Sequence, residues 1–193
     1  MDYKYNIAST IVTEPTEEPV TLAEVKAHLR ITEPDENTLL NNLIKTVRRQ
    51  FETLTGRAVI TQTWKAFYDG WPDEYFILPR PTLQSITHIN YIDTDGTSAT
   101  WAATNYIVDT DKEPGLVTLG YAKSYPSVTL YPSNPIEIQF ICGYGLAANV
   151  PQDLKTMLLM GIERLYDRPD KNYDEILRDI WDSFLINFRI WGT

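Results

Sequence analysis

Two acidic segments carry the residue types that could bind a metal ion. The first is Asp93-Thr94-Asp95-Gly96, and the second is Asp109-Thr110-Asp111-Lys112-Glu113. Carboxylate oxygens at every second position can surround a hard cation such as Ca²⁺. The full EF-hand spacing with its closing glutamate is absent, however, and both segments lie where hairpin turns are expected. Because Asp and Gly also favour turns for local hydrogen-bonding reasons, we expect plain turns and predict no metal site.

A second kind of chemistry would be glycoside hydrolysis, which uses two carboxylates roughly 5–10 Å apart across a sugar. Asp69, Asp73 and Glu74 lie beside Trp71 and Tyr75, and aromatic rings stack on sugars. An exposed acidic loop explains the same residues without an active site. We therefore predict no catalytic residue here, and a carbohydrate-binding or hydrolytic protein stays an alternative.

The histidines and the cysteine do not form a catalytic or metal-binding pattern. His28 falls on a predicted helix and His88 on a predicted strand, and neither has a Cys, Ser or second His at ligand or triad spacing. Cys142 is the single cysteine, so an internal disulfide is excluded, and its apolar neighbours predict a buried thiol. We predict no cofactor and no enzymatic activity.

The charge pattern argues against tight binding to nucleic acid. The chain has a net charge of −9, whereas phosphate backbones are bound by clustered Lys and Arg. One basic cluster is present, at Lys45, Arg48 and Arg49. Arg48 precedes Glu52 by one helical turn, so we interpret this cluster as a solvated helix face with an ion pair, with a phosphate or partner patch as the alternative.

The elements that position these residues predict an α+β fold. Residues 1–19 are expected to be an extended arm, because charge and two prolines disfavour helix there. Residues 20–57 and 150–193 show helical spacing and predict a helical core of about four helices. Residues 58–149 between them alternate with period two and predict a small antiparallel sheet or sandwich of five or six strands. A chain without a signal-peptide core or a long apolar run is expected to be soluble and made in the cytoplasm.

The last predicted helix has an apolar face wider than packing on one core requires. One interpretation is a helix in a broad groove of its own domain. The other is a helix that also contacts another subunit, because large exposed apolar areas seldom stay uncovered. The second interpretation predicts an interface formed by Ile180, Trp181, Phe184, Phe188 and Trp191.

Several segments, taken in order, are similar to a known family. They include Pro19-Val20-Thr21-Leu22-Ala23-Glu24, Leu54-Thr55-Gly56-Arg57-Ala58-Val59-Ile60-Thr61-Gln62-Thr63-Trp64, Leu78-Pro79-Arg80-Pro81-Thr82-Leu83, Cys142-Gly143-Tyr144-Gly145 and Val150-Pro151-Gln152-Asp153-Leu154. The chain resembles the head–tail connector (adaptor or head-completion) proteins of long-tailed bacteriophages, of the gp6-like type with a β-insertion. The likeness runs along residues 19–168.

This resemblance implies a structural virion protein at the head–tail junction, assembled in the host cytoplasm. It implies a closed ring of about twelve copies under the portal protein, which extends the DNA channel and offers a surface to a downstream neck or tail-completion protein. DNA would pass through without sequence-specific binding, and no membrane would be involved. The alternatives are a tail-associated carbohydrate-binding or hydrolytic protein and a minor tail or decoration protein.

Overall fold

The structure, a computed structural model, describes residues 7–167 and Phe188, which fall into two compact units. The helix unit comprises Pro15–Ile60 and the described residues from Tyr144 onward. The strand unit comprises the described residues up to Glu14 together with Thr61–Gly143. The protein is α+β, as predicted, with helices in one unit and antiparallel sheets in the other.

The helix unit contains three α-helices in its described residues: α1 (Leu22–Leu29), α2 (Asn37–Thr55) and α3 (Gln152–Asp167). Helix α1 begins at a capping box, in which the amide of Glu24 donates to Thr21 Oγ1 at 3.2 Å and the amide of Thr21 donates to Glu24 Oε2 at 2.6 Å. Helix α2 ends at Thr55 and is capped by Gly56, whose φ of 70° is the left-handed conformation that glycine adopts without strain.

Apolar side chains at helical spacing form the core of the helix unit. Those of α2 and α3 that are buried include Leu40, Leu43, Ile44, Val47, Phe51, Leu154, Met157, Leu158, Ile162 and Leu165. Leu39 of α2, although apolar, is 49% exposed. It lies on the solvent side of the helix, since the adjacent Leu40 points into the core and successive side chains are about 100° apart.

The strand unit contains eight strands in its described residues. They are β1 (Ala8–Thr13), β2 (Gln62–Tyr68), β3 (Tyr75–Ile77), β4 (Leu83–Ile92), β5 (Ser98–Trp101), β6 (Tyr106–Asp109), β7 (Leu116–Leu119) and β8 (Ile136–Cys142). One sheet has the order β1-β2-β8-β4-β5 and the other β3-β7-β6, and all neighbours are antiparallel. Strand β8 is central, and its residues are alternately buried and half-buried.

Two features differ from the sequence-based expectations, and a third prediction is not tested by the described residues. Ala8–Thr13, part of the predicted arm, is extended and forms an edge strand, because its backbone pairs with β2. The strand unit begins at Thr61, after the expected residue 58, because Ala58, Val59 and Ile60 are buried in the helix unit. The predicted fourth helix lies outside the described residues apart from Phe188. None of the helices in the described part of the chain combines the length and apolar character needed to span a membrane.

Candidate interaction surfaces

The two acidic segments considered for metal binding form turns. Asp93 Oδ1 accepts the amide hydrogens of Asp95 at 3.0 Å and Thr97 at 2.8 Å, closing the hairpin between β4 and β5. Asp109 Oδ1 accepts those of Asp111 at 3.1 Å and Lys112 at 3.3 Å. These carboxylates therefore satisfy local backbone donors. Within residues 7–167, no three His, Cys, Asp or Glu side chains are grouped closely enough to hold a metal ion.

The residues considered for sugar hydrolysis have packing and turn contacts. Asp69 Oδ1 accepts the amide hydrogen of Asn134 at 2.9 Å. The ring of Trp71 stacks on Tyr125 with centroids 4.9 Å apart, and Trp101 lies edge-on to it at 5.3 Å. Trp71 thus belongs to an aromatic cluster in the strand unit, and its stacked face is taken by Tyr125.

The histidines and the cysteine each have a structural environment. His28 Nε2 lies 2.8 Å from Glu163 Oε2, and His88 Nε2 lies 3.3 Å from Glu137 Oε1. Each is therefore placed against one carboxylate. Cys142 is fully buried, as predicted, with its thiol 3.9 Å from the carbonyl of Gln62.

The basic cluster on α2 is not the solvated face that the sequence predicts. The ion pair of Arg48 with Glu52 is confirmed, with Nη1 to Oε2 at 2.7 Å, but Arg48 is only 3% exposed. Its other partner is Glu18, whose Oε2 accepts from Nε at 2.7 Å. The sequence pattern missed Glu18 because it lies outside α2, in the segment before α1. Lys45 and Arg49 of the same cluster are exposed.

Burial and pairing act in opposite directions on Arg48. Burial lowers the pKa of its guanidinium, but the hydrogen bond that Arg48 donates to Glu18 and the charges of Glu52 and Glu18 outweigh the effect of burial, so the pKa is raised above its ordinary value. Glu52 has a second role, because its Oε1 accepts the amide hydrogen of Val59 at 2.9 Å. The network therefore holds three stretches of the helix unit together, those before α1, within α2 and after α2.

The predicted interface residues lie outside the described residues, with the exception of Phe188. Phe188 is 7% exposed, and its ring meets that of Phe51 edge-on at 5.8 Å. Its carbonyl accepts a hydrogen bond from Nε of the buried Arg57 at 2.6 Å. Phe188 thus packs within the helix unit, and the interface at Ile180, Trp181, Phe184, Phe188 and Trp191 stays a prediction.

The strand unit carries a surface that sequence reasoning did not single out. Tyr68 and Tyr91 both pair with Ile136, and Ile92 pairs with Ser98, so β2, β4, β5 and β8 share one end of the sheet. Residues 69–74 and 93–97 form turns at this end, and the long loop 120–135 lies against both. We call these three segments the acidic tip. Its loop has no periodic pattern, which is why pattern analysis passed over it.

The loop of the acidic tip is held by contacts to both turns. The amide of Thr94 donates to the carbonyl of Thr129 at 3.2 Å, and that of Tyr131 donates to Ile92 at 3.0 Å. Tyr125 packs on Trp71 as described. Burial, with a smaller contribution from the charge of Asp73, raises the pKa of the Tyr125 hydroxyl.

Comparison with protein families confirms the resemblance inferred from the sequence. Residues 19–95 match the family described as phage gp6-like head-tail connector protein. This region includes α1, α2 and strands β2, β3 and β4. No curated protein sequence matches the chain.

Comparison with solved structures extends the likeness to nearly the whole fold. A chain from the neck of an empty gene transfer agent particle, computed with C6 symmetry, has a TM-score of 0.78 and 16% identity over 96% of this chain and 97% of that chain. Chains from the virion of the native particle (TM-score 0.75, 18% identity, 96% of both chains) and from the native neck computed with C12 symmetry (TM-score 0.68, 18% identity, 98% of this chain and 97% of that chain) are also similar. At such identities the likeness shows a shared fold.

Proposed function

Residues 19–95 are a match to the phage gp6-like head-tail connector family, and from this premise we propose that the chain is a structural protein that joins head to tail in a virion neck. The family match is the observation that carries the proposal. The similarity to chains from necks of gene transfer agent particles supports the same role, because it covers almost the entire chain.

The contacts of the described residues support a structural role over an enzymatic one. The side chains that could do chemistry are used in turns, ion pairs and packing: Asp93 closes a hairpin, His28 faces Glu163 and Trp71 is stacked on Tyr125. We propose that the chain acts through its surfaces. A connector needs no active site.

We propose that copies of the chain form a closed ring, of about twelve subunits, attached to the portal protein and to a downstream neck or tail-completion protein. Ring closure requires two different surfaces on each copy, because head-to-tail contacts repeat around the ring. The segment after residue 167 is proposed to be a fourth helix of the connector core, with the strand unit inserted between the second and third helices. It would offer Ile180, Trp181, Phe184 and Trp191 to a neighbour, anchored through the bond of Arg57 to the carbonyl of Phe188.

The net charge of −9 supports a channel that does not retain DNA. Acidic groups that face the channel would repel phosphates, so the genome would slide without sticking.

The experiment that tests the proposal is electron microscopy of a lysate made without this gene. We expect separate heads and finished tails, with heads that lose DNA. Joined particles that contain DNA but fail to infect would refute the connector role and favour a tail-associated binding or hydrolytic protein.

The interface prediction has its own test. Replacing Trp181 and Phe184 with Ser should leave the circular dichroism spectrum unchanged and reduce ring formation, measured by analytical ultracentrifugation with the portal protein present. The matched control is Leu39→Ser with Leu146→Ser, which changes two side chains that are 49% and 63% exposed. A Trp181/Phe184 variant that assembles as well as this control would exclude the interface.

A further inference from the structure

The acidic tip exposes apolar and aromatic side chains that the strand unit does not need for its own packing. Tyr121 is 96% exposed, Tyr131 48% and Val128 41%, all in the loop 120–135. Side chains of this size on a loop surface are the kind that protein interfaces bury, with tyrosine among the residues that contribute most to binding. Their exposure makes this loop a candidate contact surface.

The loop is fixed in place before any partner arrives. The amide of Asn134 donates to Asp69, and Tyr125 is stacked on Trp71. The amide of Tyr131 donates to the carbonyl of Ile92 at the end of β4, and the carbonyl of Thr129 accepts from the amide of Thr94 in the turn that follows. Leu130 forms a backbone bridge with Asp93. A surface that is already ordered loses little conformational entropy on binding, which favours docking.

Charge indicates which partner the tip fits. Its three segments contain five carboxylates, those of Asp69, Asp73, Glu74, Asp93 and Asp95, against the single ammonium of Lys123. This excess repels nucleic acid. It also opposes docking on a second copy, because the whole chain carries a charge of −9. A basic protein surface complements both the charge and the exposed tyrosines.

We propose that the acidic tip docks on a basic face of a different protein in the neck, with Tyr131, Val128 and Tyr121 as apolar anchors within an acidic rim. The proposal rests on the connector function, and it assigns the partner-binding surface to the strand unit. The surface that binds the partner protein is then different from the surface between neighbouring copies, which is predicted on the last helix.

Photo-crosslinking in assembled particles tests the proposal directly. Tyr131 is replaced by p-benzoylphenylalanine, incorporation is verified by mass spectrometry, and irradiated particles are digested to identify the linked peptide. We expect a link to a different polypeptide, in a segment where Lys and Arg outnumber Asp and Glu. A link to another copy of this chain, to DNA or to an acidic segment would overturn the proposal, as would no link. The control position is Ile107, which is 55% exposed in β6 outside the tip.

Charge reversal gives an independent measurement. Glu74→Lys with Asp95→Lys changes two exposed tip acids and should lower the yield of joined particles about tenfold. Asp35→Lys with Asp111→Lys makes the same change in net charge at exposed acids outside the tip and should lower it less than about twofold. Equal losses for the two variants would mean that only total charge matters, and the proposal would fall. Both variants must keep the wild-type circular dichroism spectrum and Tm.

The connector function and the docking inference fail in different ways. Joined particles in the absence of the gene would refute the connector function. Separate heads and tails in its absence, together with a Tyr131 crosslink to another copy, would retain the connector function and refute the docking inference.

Discussion

Replacing Arg48 with Met is expected to destabilise the helix unit strongly. The side chain of Arg48 is 4% exposed, and it lies between the carboxylates of Glu18 and Glu52, whose side chains are 20% and 11% exposed. Methionine has a similar length, so the change removes the cation with little loss of volume. The two carboxylates are then left with like charges and without their shared donor.

The size of the effect follows from burial. Removing one partner of a buried ion pair costs about 3–5 kcal/mol, since it leaves an uncompensated buried charge. Water reaches Glu18 in part, so we place Arg48→Met at the lower end, about 3 kcal/mol. Glu52→Gln keeps an oxygen that can accept the amide hydrogen of Val59, and should cost about 1–2 kcal/mol. The double variant should cost less than the sum, because Gln relieves the repulsion that Met creates.

Urea unfolding followed by circular dichroism at 222 nm measures these free energies, since the three described helices all belong to the helix unit. Lys45→Met is the matched control: it removes an exposed cation from the same helix and should change stability by less than about 0.5 kcal/mol. Because the folded pKa of Arg48 is raised above its ordinary value, the contribution of its charge is complete at lower pH and is lost only as pH rises through the folded pKa. The reasoning would be refuted if Arg48→Met lowered the free energy of unfolding no more than Lys45→Met does. It would also be refuted if the losses of Arg48→Met and Glu52→Gln added fully in the double variant.

Two further predictions concern packing and pH. Gly115→Ala should lower the free energy of unfolding in urea by about 1–3 kcal/mol, because an added Cβ would lie 2.6 Å from the side chain of Leu83. The control is Gly70→Ala, whose added Cβ meets nothing within 4 Å and should leave stability unchanged. Equal losses of stability for the two variants would contradict this account. Glu24→Gln should cost about 0.5 kcal/mol at neutral pH. Hydrogen bonds from the backbone and side chain of Thr21 lower the pKa of Glu24, so its stabilisation is present above the ordinary value of 4.5 and is lost as pH falls through the lower folded pKa. Unfolding curves at several pH values should show the deficit disappearing in acid, and a deficit that persists there would contradict the assignment.

Features that local chemistry determines can be predicted from the sequence. The capping box at Thr21, the left-handed stop at Gly56 and the hairpin turn closed by Asp93 are all determined by residues within a few positions. The fold class followed from the change of hydrophobic period between the helical and strand segments. In the structure, the residues of β8 are alternately buried and half-buried, which is the two-residue period of a strand.

Features that depend on distant segments could not be predicted in the same way. The burial of Arg48 depends on Glu18, which is 30 residues earlier, and no local pattern indicates that pairing. Strand β1 was expected to be an arm because its partner, β2, lies beyond two helices in the sequence. The acidic tip is formed by three turns and loops that only the sheet register brings to one end.

The pairing of Ala8 with Phe67 has a consequence for how the chain folds during synthesis. Strand β1 leaves the ribosome first, but β2 follows only after two helices, and β8, which completes the centre of the sheet, ends at Cys142. Helix α3, which closes the core of the other unit, is made later still. Because chains are synthesised at about 5–20 residues per second, the early strand waits several seconds for its partner. Chains truncated before β8 and α3 lack the central strand of one unit and a core helix of the other, so incomplete translation products should be removed as unfolded protein and should not enter an assembling neck.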